Sequence, residues 1–232
     1  MRFSLFFLLN LVLVGHAAAQ ARPDVNSVFG GYLTLPLEVP FVDTRSLNER
    51  LGAAGLPACR LPAVVPGIGF HLQLGRTVLV FSFNKGTREP DSDTAALAVE
   101  YRATTFGVGY DVLRRPEQSL FPYIGFKGSG VSYLFDEKAR NPTTFGNYLQ
   151  TPLNHKEITN SRGHLDLGLG ASYQQFWLIS LRAGVLVPLE AVRWNINNNK
   201  LSLSDSPGIS YGGYVVLAIG LGNNSGAQQV KK

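Results

Sequence analysis

The chain has a single cysteine, Cys59, among its 232 residues, so no intramolecular disulfide can be formed whatever compartment it occupies. Beyond the N-terminus it has no apolar run approaching the roughly 20 residues that a membrane-spanning helix requires. Its formal charge is a modest +5 with the basic residues dispersed, which argues against nucleic acid as a partner. The four histidines, His16, His71, His155 and His164, stand too far apart for ligand spacing, so neither a metal nor another cofactor is expected. Gly107-Val108-Gly109 and Gly168-Leu169-Gly170 do not sit between a strand and a helix, as a nucleotide loop would. What the chain does have is 45% hydrophobic residues and 25 glycines. If such a chain enters a membrane, it must do so as strands.

The N-terminus sets the route. Arg2 precedes the apolar run 3–15 and then Ala17-Ala18-Ala19, the order of a secretory signal peptide, assigned here to residues 1–21. No cysteine lies near the cleavage site to carry a lipid. Residues 22–222 suit one domain, and residues 223–232 form a polar tail.

Period-2 alternation marks eight strands, predicted over 28–37, 67–75, 77–84, 95–112, 119–135, 163–173, 177–190 and 210–222. In the sixth, Leu165, Leu167, Leu169, Ala171 and Tyr173 oppose His164, Asp166, Gly168, Gly170 and Ser172. The eighth sets Tyr211, Gly213, Val215, Leu217, Ile219 and Leu221 on an apolar face fit for lipid. In the fourth, Leu97, Val99 and Tyr101 give way to Phe106, Val108 and Tyr110 on the other phase, which predicts a β-bulge near Thr105. The fifth has no clean phase, because Lys127 shares its parity with Phe121, Tyr123 and Val131.

Short links at 75–76, 114–118 and 174–176 alternate with long ones at 38–66, 86–94, 136–162 and 191–208. Short periplasmic turns opposite long external loops are the mark of a transmembrane barrel. The fold expected is therefore all-β, an eight-stranded antiparallel up-and-down barrel in the outer membrane. A short helix over 44–54, capped by Asp43 or Thr44 and stopped by Gly55 and Pro57, is expected to cover one mouth. Tyr110, Phe121, Tyr123, Tyr173, Phe176 and Trp177 cluster beside the short turns and are assigned to an interfacial aromatic girdle.

This plan resembles the small outer-membrane barrels of the OmpA and OmpX type. More narrowly, 47–51 (Leu-Asn-Glu-Arg-Leu), Gly55-Leu56-Pro57, Gly67-Ile68-Gly69, Gly109-Tyr110-Asp111-Val112 and Pro122-Tyr123-Ile124-Gly125 resemble uncharacterised outer-membrane barrels of Bacteroidetes-type bacteria. The resemblance implies outer-membrane lipid and the barrel-assembly machinery as partners, but no reaction. The polar tail departs from barrels that end on an aromatic residue.

An eight-stranded barrel is just wide enough to be filled by its own side chains. His71, Glu100, Arg102, His164, Asp166, Arg182 and Glu190 are assigned to a polar interior, with pairs expected between Glu100 or Asp166 and Arg182 or Arg102. No catalytic residues are assigned. The function expected is a structural or extracellular-interaction role, with the long loops meeting a partner outside. A soluble periplasmic or secreted barrel holding a small apolar ligand is one alternative. A narrow pore or a lipid-modifying enzyme, a hydrolase or acyltransferase, is another. The enzyme would need a serine within reach of His155 or His164.

Overall fold

A computed structural model describes residues 29–53, 58–88, 95–113, 115, 117–137, 155–190, 194–196, 199–200 and 209–224. The predicted signal peptide and nearly all of the predicted tail lie outside them. The elements are β1 (Phe29–Asp43), α1 (Arg45–Ala53), β2 (Val65–Leu74), β3 (Thr77–Arg88), β4 (Ala95–Tyr110), β5 (Gln118–Glu137), β6 (His155–Gln174), β7 (Trp177–Pro188), β8 (Trp194–Ile196), β9 (Asn199–Lys200) and β10 (Ser210–Asn224). Among the described residues no helix is long and apolar enough to cross a membrane.

Eight strands close on themselves. β5-β4-β3-β2-β1-β10-β7-β6 pair in that order, β5 meets β6, and each pairing is antiparallel. β8 and β9 form a short ribbon on the upper part of β6. Followed around the wall, the register runs from Phe41 through Gly213, Val185, Leu167, Ile124, Val108, Leu79 and Leu72 back to β1 at Gly31, ten residues from where it began. That shear tilts the strands by about 40° and leaves a lumen that side chains can fill.

The wall is sorted by parity. Leu33, Leu35, Phe81, Leu169, Leu181 and Ile219 point outward and stay exposed, while Tyr32, Thr34, Ser82, Asp166, Ser180 and Ala218 are buried inside. Three inward glycines make room for large rings. A Cβ on Gly170 would stand 2.4 Å from the Phe121 ring, one on Gly168 would stand 2.3 Å from the Tyr123 hydroxyl, and one on Gly184 would stand 2.7 Å from that hydroxyl.

β4 carries no bulge, and this corrects the sequence reading. Its register to β3 and β5 is unbroken, with Val99, Tyr101, Ala103 and Thr105 all inward. What changes along β4 is the surroundings. Toward the long-loop rim the interior becomes apolar and the outside becomes polar, so the pattern inverts while the parity holds. The described bulge lies in β10, where Phe41 pairs with Gly213 but Val42 pairs with Tyr211, leaving Gly212 as the extra residue. It turns Tyr211 inward, off the outer apolar face that Val215, Leu217, Ile219 and Leu221 carry, while Gly213 stays in register with the exposed Phe41 and Val185.

β1 runs six residues past its predicted end. Pro36 has no N–H to give, and the β1–β2 ladder lapses at Leu35 and Pro36. Asn84 Nδ2 fills the gap by donating to Val65 O at 3.2 Å and Pro36 O at 3.5 Å.

α1 closes the long-loop mouth. Asp43 Oδ1 accepts the Arg45 N–H at 3.0 Å and the Thr44 carbonyl accepts the Asn48 N–H at 2.9 Å, starting the helix. Leu47 and Leu51 then pack with Cys59, Val65, Val99, Tyr133 and Ile209 in an apolar cap. Asn48 ties the returning chain down, taking the Cys59 N–H at 2.7 Å and donating to the Cys59 carbonyl at 3.2 Å.

Candidate functional site

Below the cap, the interior is a stack of polar layers. Nearest the short turns, Gln174 Nε2 donates to Gln73 Oε1 at 2.5 Å and to Ser172 Oγ at 2.9 Å, and Ser172 meets Ser119 at 2.7 Å. His71 lies above, flanked edge-on by Tyr32 and Phe121 at ring separations of 6.4 Å and 5.9 Å.

The centre holds a buried ion pair. Lys127 Nζ lies 2.6 Å from Glu38 Oε1, both side chains are 0% exposed, and Tyr101 donates its hydroxyl to the same oxygen at 2.9 Å. Lys127 Nζ also sits 3.5 Å over the Tyr214 ring, a cation–π contact. Tyr214 in turn donates to Asp166 Oδ2 and meets the Tyr123 hydroxyl at 2.7 Å. An ion pair excluded from water holds only when its remaining groups are also partnered, and three tyrosines supply most of that here.

The predicted interior set divides. His71, His164, Asp166 and Arg182 are inside. Glu100 and Arg102 are not: they point outward from β4, where Arg102 Nε donates to Glu100 Oε1 and Lys85 Nζ lies 3.2 Å from Glu100 Oε2. Glu190 is exposed beyond β7, and its carbonyl accepts Arg162 Nε at 2.5 Å. The expected pairing of Asp166 with Arg182 is replaced by the Tyr214 bond, and neither Asp166 Oδ1 nor Arg182 Nη1 makes a hydrogen bond with a described residue.

Two buried charged side chains lie outside the assigned interior set, Glu38 and Lys127. Glu38 fell beyond a strand cut short between Pro36 and Pro40, although it shares parity with Tyr32 and Thr34. Lys127 faces the lumen, as its charge leads one to expect, and Phe121, Tyr123 and Val131, whose apolarity blurs the phase of this strand, are inward like it.

The proposed girdle also divides. Tyr110, Tyr173, Phe176 and Trp177 are exposed beside the short turns, joined by Phe29. Phe121 and Tyr123 are buried instead, filling the lumen over Gly170 and Gly168. The short-turn rim is fastened by Arg76, whose guanidinium lies 4.2 Å over Tyr110 and donates to the Asp111 carbonyl at 3.1 Å. Asp111 Oδ1 in turn accepts the Leu113 and Leu120 N–H groups, each at 3.1 Å.

A serine does lie near a histidine. Ser129 Oγ is 3.4 Å from His164 Nδ1, which also lies 3.3 Å from the Lys127 carbonyl. Both side chains are inside the barrel under Tyr211, whose ring stands 4.9 Å from that of His164. The neighbouring carboxylate, Asp166, is bonded to Tyr214 and does not orient the imidazole. Among the described residues no carboxylate orients this imidazole as the base of an activated serine would be oriented.

Outside, the wall carries a different surface. Apolar side chains cover it for about ten residues of strand, which at this tilt is about 25 Å of height. On β4, β5 and β6 the cover stops at Phe106, Phe126 and Leu165, and a groove of about 550 Å³ opens above it.

Neither a family model nor a curated protein matches the chain. Among solved structures it is similar to Ail, the attachment invasion locus protein of Yersinia pestis, in complex with the heparin analogue sucrose octasulfate. The TM-score is 0.45 at 11% identity, over 84% of this chain and 98% of that one.

Proposed function

We propose that the chain is an integral outer-membrane barrel, exported by its N-terminal leader and inserted by the barrel-assembly machinery, with a structural or extracellular-interaction role and no catalysis. One observation carries the reading: the barrel is inside out relative to a soluble protein. Its interior is filled by Glu38, Lys127, Asp166 and Arg182, while Leu35, Ile68, Leu169, Leu181 and Leu221 are each more than half exposed. A soluble barrel holding an apolar ligand would need those faces exchanged. An apolar band about 25 Å tall, bordered by aromatic residues at one rim, matches the hydrocarbon layer.

β5 ends and β6 begins, and β7 ends, at the rim opposite Phe29 and Asn224, so the connections 138–154 and 189–209 belong to that rim, the outer side of such a barrel. We assign them the contact with an extracellular partner, and we propose a kinship with Bacteroidetes-type outer-membrane barrels on the residue groups 47–51, 55–57, 67–69, 109–112 and 122–125. The test is refolding from urea into phosphatidylcholine vesicles followed by trypsin. The expected result is a protected, heat-modifiable core that survives deletion of 141–151. Complete digestion in the presence of vesicles would refute insertion, and loss of the core on loop deletion would refute the division of labour.

A further inference from the structure

The upper border of the apolar belt is uneven. On β1 and β7 it continues through Phe41, Val187 and Leu189, all exposed. On β4, β5 and β6 it gives way at the same height to a notch. Two register rows form its floor: Thr104, Gly128 and Gly163 in one, then Arg102, Gly130 and Ser161 in the next. Three of these six positions are glycine, which removes the side chains that would otherwise cover the wall. Phe83 and Phe126 bound the notch on the belt side, and Arg162 and Glu190 line its far end.

Its chemistry is that of a headgroup site. Arg102 is 59% exposed and spends only Nε on Glu100, with no other hydrogen bond from its guanidinium to a described residue. Its two amino groups match a phosphate bidentately. Thr104 and Ser161 add hydroxyls able to pair with sugar hydroxyls, and the Ser132 hydroxyl, 3.3 Å from that of Thr159, lines the same notch. At about 550 Å³ the notch is far larger than a single phosphate needs, and it opens directly onto the hydrocarbon-facing rings below.

We propose that this notch seats the phosphorylated sugar headgroup of an outer-leaflet glycolipid, with its acyl chains lying against Phe83, Phe106 and Phe126. The inference rests on the membrane reading above and adds a specific lipid partner to it.

The test uses the full chain extracted in non-ionic detergent. Native mass spectrometry follows its retention of three probes: a bisphosphorylated glucosamine-disaccharide lipid, the same lipid without phosphates, and phosphatidylglycerol. The wild-type protein should retain the first about tenfold better than either of the others. Gly128→Leu fills the notch where a new Cβ meets only the Phe126 ring at 3.7 Å, so the fold is spared. Arg102→Gln removes the phosphate ligand and leaves Glu100 paired with Lys85. Each variant should lose about tenfold in retention while keeping its boiling-dependent gel shift. Equal retention of the three probes, a preference for phosphatidylglycerol, or indifference to both substitutions in a gel-shifting protein would overturn this inference alone. A soluble product with no gel shift would overturn the membrane reading as well.

Discussion

Replacing Lys127 with methionine leaves the Glu38 carboxylate buried with only the Tyr101 hydroxyl, and losing one partner of such a pair costs about 3–5 kcal/mol. Urea titration of the refolded barrel in detergent should show that loss, and Glu38→Gln added to Lys127→Met should restore most of it. An unchanged midpoint in the single variant would mean the pair is not formed. Cys59 offers a second check at this scale. Burial pushes its thiol up to about 11, with Tyr133 pulling weakly the other way, so near pH 8 it stays protonated. Maleimide should label it slowly in the folded protein and rapidly in urea, because only the thiolate reacts; equal rates would show that the cap is open. His164, Asp166 and Arg182 were readable as interior because β6 and β7 alternate cleanly between leucine-rich and polar faces. Glu100 and Arg102 were misread because they lie above the apolar belt, where the outside of the wall is polar as well and polarity no longer reports the side of the barrel.

Strand positions emerge from the pattern more reliably than strand ends. The eight predicted strands coincide with β1 to β7 and β10, but β1, β3 and β6 run well past their predicted limits. Above the apolar belt these strands continue without the alternation that announces them. The bulge shows the same limit: a glycine pair, Gly212-Gly213, supports the register shift in β10, and no change of polarity marks it. Two predictions belong to elements. Gly170→Val should cost about 1–3 kcal/mol by overpacking, since its Cβ would collide with the Phe121 ring, and Phe121→Leu should relieve part of it in the same urea titration. Additive losses in the double variant would mean the two do not share space. Asn48→Ala should release the chain from α1 and raise the maleimide reactivity of Cys59 severalfold while the barrel stays protected from trypsin. Unchanged reactivity would show that the apolar packing of Leu47 and Leu51 suffices to hold the cap.

At the scale of the whole molecule, closure, strand order and the position of both barrel termini were legible in the alternation of short and long links, because a closed antiparallel wall leaves few other ways to connect eight strands. The notch on β4 to β6 was not legible: its glycines are scattered over two strands and meet only through the register. The inverted polarity of the barrel makes one prediction sharp. Leu181→Arg, at mid-belt and 54% exposed, should destabilise the inserted barrel by about 2–4 kcal/mol, whereas on a water-facing wall it would change stability by less than about 0.5. Urea titration in vesicles separates the two.

The most direct test is to express the full chain, separate inner from outer membrane, and compare its gel mobility with and without boiling. The account predicts a product in the outer-membrane fraction whose mobility shifts on boiling; a soluble periplasmic product with no shift would contradict it.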